Sequence, residues 1–484
     1  MKKETVQFIN NVIEGKKETF IDAAKQIHSF AELSLMEYKS AEYYCYVAKE
    51  LGFEVEKNIC DIETAFTASY SNGNGPKIAI LAEYDALSGL SQYPGIPEHK
   101  EIAAGGNGHG CGHNLLGAGA LGAAYAVKEW LKNENIPGTV VLCGCPGEEG
   151  GAAKAFMAKK DFFKQFDAAV TWHPSCENTV ETGGCNASIQ TLYKFHGVAA
   201  HASGSPEHGK SALDSVELMN IGVQFLREHM PQNARIHYAI TDAGGNSPNV
   251  VQAYSAVLYM VRSPHVKEAL ELQKKVDKIA EGAAMMTGCS VEKCFIDGTA
   301  DTIHNEVMCK TAFEALSQFE LPSYSQEELA YADEIAKTYD GPKNISARIT
   351  TQKAKKVYFE NYKNGDKLKA ILDFLIPYGS ENDFGPGSTD VGDVSYQTPT
   401  VQIHTACFTA GAPGHSWQNV SLAGSSIGFK GMLHAAKAMA LTAATLYTDK
   451  SLIDEAKAEL ISRTEDGYNC PIPDGAKPVT PDNA

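Results

Sequence analysis

Three apolar runs, "KIAILAEYDAL", "GTVVLCGCPGEEGG" and "FDAAVTWHPS", each closing on ionisable residues, constrain this chain more than any other feature. Helical apolar spacing fills the segments between them. Strands alternating with helices build a mostly parallel sheet with helices on its faces, so an α/β class is expected. In such sheets the carboxyl ends of the strands border the ligand crevice. Glu83 and Asp85, then Glu148 and Glu149, then His173 are thereby delivered to one edge.

From about Ala187 the pattern changes. "ASIQTLYKFHG", a helix, "RIHYAITDAGG", "AYSAVLYMVRS", a second helix and "SVEKCFIDG" follow in β-α-β-β-α-β order, the split βαβ or ferredoxin-like arrangement. The expected division is a first catalytic part over 1–186, an inserted domain over 187–299, and a second catalytic part over 300–484. Helical spacing is also expected over residues 17–51, with Gly52 as a C-cap, and over a final helix from Ser425 to Tyr447. A polar stretch occupies 340–365. The end, "PIPDGAKPVTPDNA", reads as a loosely ordered tail.

With 484 residues, 43% of them hydrophobic, the chain can bury a core large enough for two or three domains. A formal charge of −17 argues against nucleic-acid or anionic-membrane partners, which need a positive field. The N-terminal stretch has no signal-peptide apolar region and no run approaches a membrane span, so a cytoplasmic location is expected. The 12 cysteines show no disulfide framework and read as reduced thiols, mostly small buried hydrophobes. Any anion clamp must draw on Arg227, Arg235, Arg262, Arg348 or Arg463.

Singly, a Cys-x-His pair, a Glu-Glu pair or a strand-end histidine is commonplace. Together, Cys111, His113, Glu149 and His173 offer thiolate, imidazole and carboxylate at one sheet edge, a donor set that suits zinc or a similar divalent ion. A cysteine nucleophile paired with His113 would leave Glu148, Glu149 and His173 unexplained.

The segments "NGHGCGHNLLG", "GCPGEEGG", "TWHP", "SPNVVQA", "GSTDVGDVS" and "PGHSWQ" resemble the dinuclear-metal aminoacylase and carboxypeptidase amidohydrolases, in the branch with a cysteine in "CGH". That resemblance covers nearly the whole chain. It implies a metallo-aminopeptidase-like catalytic domain with an inserted lid and dimerisation domain. Carried over, Cys111, His113, Glu149, His173 and His415 bind two divalent metals, with Cys111 bridging; zinc or manganese is expected, and cobalt also suits the thiolate. Glu148 becomes the general base. Asp85 orients a ligand, and His109 stands near the site as a further ligand or, on the preferred reading, in a supporting loop role.

The same resemblance makes His201, in "GVAAHASGSPEHGKSALDSV", an oxyanion stabiliser reaching across a dimer, and places Asn249 and Arg262 against substrate. It implies hydrolysis of the amide of an N-acyl amino acid, with p-aminobenzoyl-glutamate, a folate breakdown product, as the expected small-molecule substrate. A dipeptidase or general aminoacylase keeps the chemistry with other groups, and a non-catalytic partner subunit is the remaining reading. A homodimer, a heteromer with a related A subunit, or both, are the implied assemblies. Two departures stand out. Asn114 and Leu116 occupy positions where cysteine-bearing relatives read "CGHDxH", and Asp390 and Asp393 stand where many relatives carry a glutamate.

Overall fold

The computed structural model describes residues 2–339, 349, 351–364, 367–379 and 384–480. Its larger sheet is seven-stranded, in the order β1 (Glu54–Lys57), β2 (Phe66–Ser71), β4 (Thr139–Gly144), β3 (Lys77–Ala82), β5 (Ala168–Ser175), the strand Thr400–Ala406, and β6 (Thr179–Val180). In the centre, β3 runs parallel to both β4 and β5, and β5 runs parallel to the strand Thr400–Ala406; the flanking pairs are antiparallel. A short strand, β7 (Gly184–Cys185), pairs in parallel with Phe384–Gly385 beside the carboxyl edge of this sheet.

Alternation along the central strands feeds two separate cores. Ile78, Ile80, Val140, Leu142, Val170 and Trp172 enter one, with α1 (Lys3–Phe30), α3 (His113–Glu134) and the helix Ser426–Thr448. Ala79, Leu81, Val141, Cys143 and Ala169 enter the other, with α4 (Ala153–Lys159), Phe163 and Phe166. Burial on both faces is why these strands read as continuous apolar runs. Close approach of α3 depends on a missing side chain: a Cβ at Gly119 would lie 2.8 Å from Trp172 Nε1, the atom that donates to Leu116 O at 3.0 Å.

The second sheet is four-stranded and antiparallel, ordered β11 (Ser290–Thr299), β8 (Ala187–His196), β10 (Tyr254–Ser263), β9 (Arg235–Asp242). With α5 (Ala212–Leu226) and α6 (Val266–Thr287) it completes the ferredoxin-like order read from the sequence. Tyr193, Phe195, Val257, Tyr259 and Val261 pack under Val216, Met219 and Val276 on one face. Strand β9 is a sheet edge, and Tyr238 and Ile240 on it are exposed, as are Ile221 and Phe225 on α5.

Two expectations change. The helical region is not one span over 17–51: α1 begins at Lys3, and a break with Leu35 at φ +63 separates it from α2 (Tyr38–Glu50). The proline-rich end is not loose where it is described, because Ile472 is buried in the second core and Lys159 Nζ donates to Ile472 O at 2.7 Å. Residues 481–484, and much of the polar 340–365 stretch, lie outside the described residues. Among the described residues no helix is long and apolar enough to cross a membrane.

Asn114 explains one departure from the family pattern. Buried on the first turn of α3, its Nδ2 donates to Ala24 O on α1 at 3.2 Å and to Ala423 O at 3.0 Å. A carboxylate can donate neither bond. Asn114→Asp should therefore destabilise the protein by about 2–4 kcal/mol in denaturant unfolding, through lost bonds and a buried unpaired charge.

Candidate metal centre

Four segments converge at the carboxyl edge of the larger sheet. The turn after β3 carries Glu83 and Asp85, both buried. The entry to α3 carries Cys111 and His113 on either side of Gly112, whose φ of +78 and close packing, with Phe408 Cζ 2.9 Å from a notional Cβ, exclude any side chain. The loop after β4 carries Glu148 and Glu149, and His173 lies near the end of β5. His415, at φ +51, precedes the helix Trp417–Ala423.

Cys111 Sγ lies 3.3 Å from His173 Nε2, and His415 Nε2 lies 3.5 Å from Glu149 Oε2. His113 Nε2 stands 4.0 Å from both Glu148 Oε2 and Glu149 Oε1. Donor atoms of Cys111, His113 and His173 all lie within 4.8 Å of one another, and so do those of Cys111, Glu149 and His415. Cys111 belongs to both triads. His113 Nε2 and Glu149 Oε1 are buried without a hydrogen-bond partner, so two aimed acceptor atoms lie where a cation would satisfy both.

Hydrogen bonds behind the donors fix their orientation. His113 Nδ1 bonds Asp85 Oδ1 at 2.8 Å, and His173 Nδ1 donates to Pro174 O at 2.8 Å, which leaves each Nε2 facing the cluster. Asp85 Oδ2 also accepts from Ser34 Oγ and from Glu149 N, both at 2.8 Å. Burial opposes ionisation of Asp85, yet the neighbouring His113 ring and the bonds it receives from His113, Glu149 N and Ser34 hold its carboxyl below the usual carboxylate range. Burial, then the Glu83 and Glu149 carboxylates, push Glu148 well above the usual carboxylate range; burial and Glu149 do the same to the Cys111 thiol. Such a crowd of buried acids calls for positive charge.

Lys154 supplies part of it. Fully buried on α4, its Nζ pairs with Glu83 Oε1 at 2.8 Å and with Asp390, whose Oδ2 accepts from Lys154 N at 2.9 Å. Asp390, rather than Asp393, thus connects to the cluster. Asp393 accepts instead from Tyr468 Oη at 2.5 Å and Ala300 N at 3.0 Å. A lysine inside the apolar run "AAKAFM" was the available sequence signal for this pair. His109 points elsewhere: its Nε2 meets Ile27 O at 3.0 Å on α1, and it joins neither triad.

His201, Asn249 and Arg262 do not line the cavity beside the cluster. His201 and Asn249 are brought together, because Ala202 N donates to Asn249 O at 3.0 Å across a short bridge. Both are exposed. His201 Nδ1 accepts from Gly204 N at 3.1 Å and Ser203 N at 3.3 Å, so its Nε2 carries the proton and is a donor. Arg262 lies opposite Arg235 in register, and with His237 the two share the face of the second sheet turned away from its helices. Arg348 lies outside the described residues.

The sequence matches the family described as Peptidase family M20/M25/M40 over residues 79–422. It is 42% identical to the B subunit of p-aminobenzoyl-glutamate hydrolase from Escherichia coli (strain K12), over 99% of each chain. It is 28% identical to the Xaa-Arg dipeptidase of Mus musculus, over 82% of this chain and 78% of that one. The solved structure of the aminobenzoyl-glutamate utilization protein from Klebsiella pneumoniae shares the fold, with a TM-score of 0.58 at 14% identity, covering 90% of this chain and 98% of that one.

The Lys154 pairing is directly testable. Lys154→Met should cost about 3–5 kcal/mol in guanidinium unfolding, because Glu83 and Asp390 would be left as uncompensated buried charges.

Proposed function

Because the chain belongs to peptidase family M20/M25/M40, and is thereby a metal-dependent amide hydrolase, we propose that it cleaves p-aminobenzoyl-glutamate to p-aminobenzoate and glutamate. One observation carries this reading: two donor triads share Cys111 and lie against Glu148 at a cavity of about 360 Å³. The relative at 42% identity, matched end to end, supports the choice of substrate.

In this reading Cys111, His113, Glu149, His173 and His415 hold two divalent cations. Zinc or manganese is the expected metal, cobalt the next, and the shared thiolate favours the softer ions. Bound there, the cations supply Lewis acidity at the scissile carbonyl and acidify water at neutral pH. Glu148, which lines the cavity and groups with Glu83 and His113 rather than with Cys111, takes the proton of the attacking water and returns it to the leaving amine. Asp85 keeps His113 in the tautomer whose Nε2 faces the cluster. A partner chain without its own catalysis would have no use for these groups held together.

The remaining roles belong to the segment 187–299, inserted as a lid between catalytic parts 1–186 and 300–484. His201, with Nε2–H as a donor, stabilises the oxyanion of a partner's site, and Asn249 beside it contacts substrate. Arg262, backed by Arg235, pairs with the glutamate carboxylates, which a chain of charge −17 otherwise repels. The exposed edge of β9, with Tyr238 and Ile240, supports a dimer, and the name of the 42%-identical relative, itself a B subunit, supports a related A subunit as a second partner. No disulfide joins any of the 12 cysteines, which supports a reducing, cytoplasmic setting.

Purified protein should hold close to two divalent ions per chain, and chelation should abolish hydrolysis reversibly. Glu148→Gln should keep those ions by elemental analysis while kcat falls about 10²–10⁴-fold. Loss of metal in that variant would exchange the roles of Glu148 and Glu149. A preference in kcat/KM for simple dipeptides over p-aminobenzoyl-glutamate would replace the substrate.

The dimer has its own test. Mixing His201→Ala chains with Glu148→Gln chains should restore part of the activity that neither has alone, through hybrids with one intact site. No recovery after demonstrated subunit exchange would place His201 outside its partner's site.

A further inference from the structure

The cavity beside the donor cluster is lopsided in charge. Glu148, Glu149 and Glu181 line it, and no lysine or arginine does so among the described residues. Among the described residues, the wall offers a substrate carboxylate neither a lysine nor an arginine. Its remaining wall includes the ring of Phe384, which is 46% exposed, together with Val180 and a run of glycines, a surface suited to a flat aryl group.

Glu181 is held in place. Its Oε2 accepts from Nε2 of the buried His404 and, at 3.5 Å, from Gln402 Nε2. His404 sits in register with His173 on the adjoining parallel strand, their ring centroids 6.2 Å apart. One imidazole therefore separates the Glu181 carboxylate from a histidine of the donor cluster. That fixes an acceptor at a set reach from the donor cluster.

We infer that this cavity is the subsite for the acyl half of the substrate, and that Glu181 accepts a hydrogen bond from a donor at the far end of that half. The inference rests on the proposed amidohydrolase function and refines it: aminoaryl amides are selected over plain aryl amides. A para-amino group is neutral and donates hydrogen bonds, so it matches the Glu181 carboxylate. The anionic half of the substrate is left to point outward, toward Arg262.

The test compares kcat/KM for p-aminobenzoyl-glutamate and benzoyl-glutamate in the metal-loaded protein, in Glu181→Leu and in Glu181→Gln. The unaltered protein should prefer the amino compound by about tenfold or more, the scale of one hydrogen bond to a charged acceptor. In Glu181→Leu the ratio should fall close to one, with Glu181→Gln between. Each ratio is taken within one protein, so a general loss of activity cancels. A ratio near one before mutation, or an unchanged ratio in Glu181→Leu, overturns the subsite. Calorimetric binding of 4-aminobenzamide against benzamide gives the same comparison without turnover. If neither glutamate conjugate is cleaved while 4-aminobenzamide still binds better in a Glu181-dependent way, the subsite stands and the proposed substrate falls.

Discussion

The carboxylate of Asp85 is the point on which the centre is hung. From a buried position just past the end of β3 it receives His113 from the start of α3, Ser34 from the break between α1 and α2, and the backbone of Glu149 from the loop after β4. Three segments distant in sequence are thereby aligned by one side chain. Glu37 works alongside it, accepting from Leu35 N at 2.9 Å and from Gly147 N at 2.8 Å, so the loop bearing Glu148 and Glu149 is clamped at two places. A loop rich in glycine would otherwise have many conformations to lose on ordering its acids. Clamping by buried acceptors makes that ordering part of the fold.

The strand ends and the "CGH" turn were legible because parallel strands buried on both faces leave continuous apolar runs, and their carboxyl ends are where chemistry gathers. The ferredoxin-like order was legible for a similar reason: strands β8 to β11 and helices α5 and α6 have clear, different periods. Lys154 showed in the sequence only as a lysine inside an apolar run, and its acid partners Glu83 and Asp390 come from distant segments. Glu181 and His404 were hidden differently. β6 is two residues long and has no periodicity to read, and its pairing with Thr400–Ala406 comes from tertiary contact alone. Asn114 looked like a loss against the family pattern, whereas the structure gives it two donor roles that an aspartate cannot fill.

Charge is unevenly placed in a protein that is acidic overall. Carboxylates crowd the donor cluster and its cavity, balanced there by Lys154, while Arg235, His237 and Arg262 gather on one face of the second sheet. His237 is held below the usual histidine range by burial first and then by Arg262, Arg227 and Arg235.

The place of Thr400–Ala406 in the larger sheet also bears on how the chain is made. It lies between β5 and β6 and sets His404 beside His173, yet it is synthesised only after the whole of β8 to β11. A nascent chain that has finished β5 therefore presents an open parallel edge for as long as it takes to translate the intervening segment. Among the described residues β8 to β11 pair only with one another, so that segment can fold while the larger sheet waits. Long-range parallel pairing of this kind is slow and exposes an adhesive edge in the interval. The topology that sets His404 beside His173 thus leaves the emerging polypeptide with an exposed sheet edge until its late strand arrives.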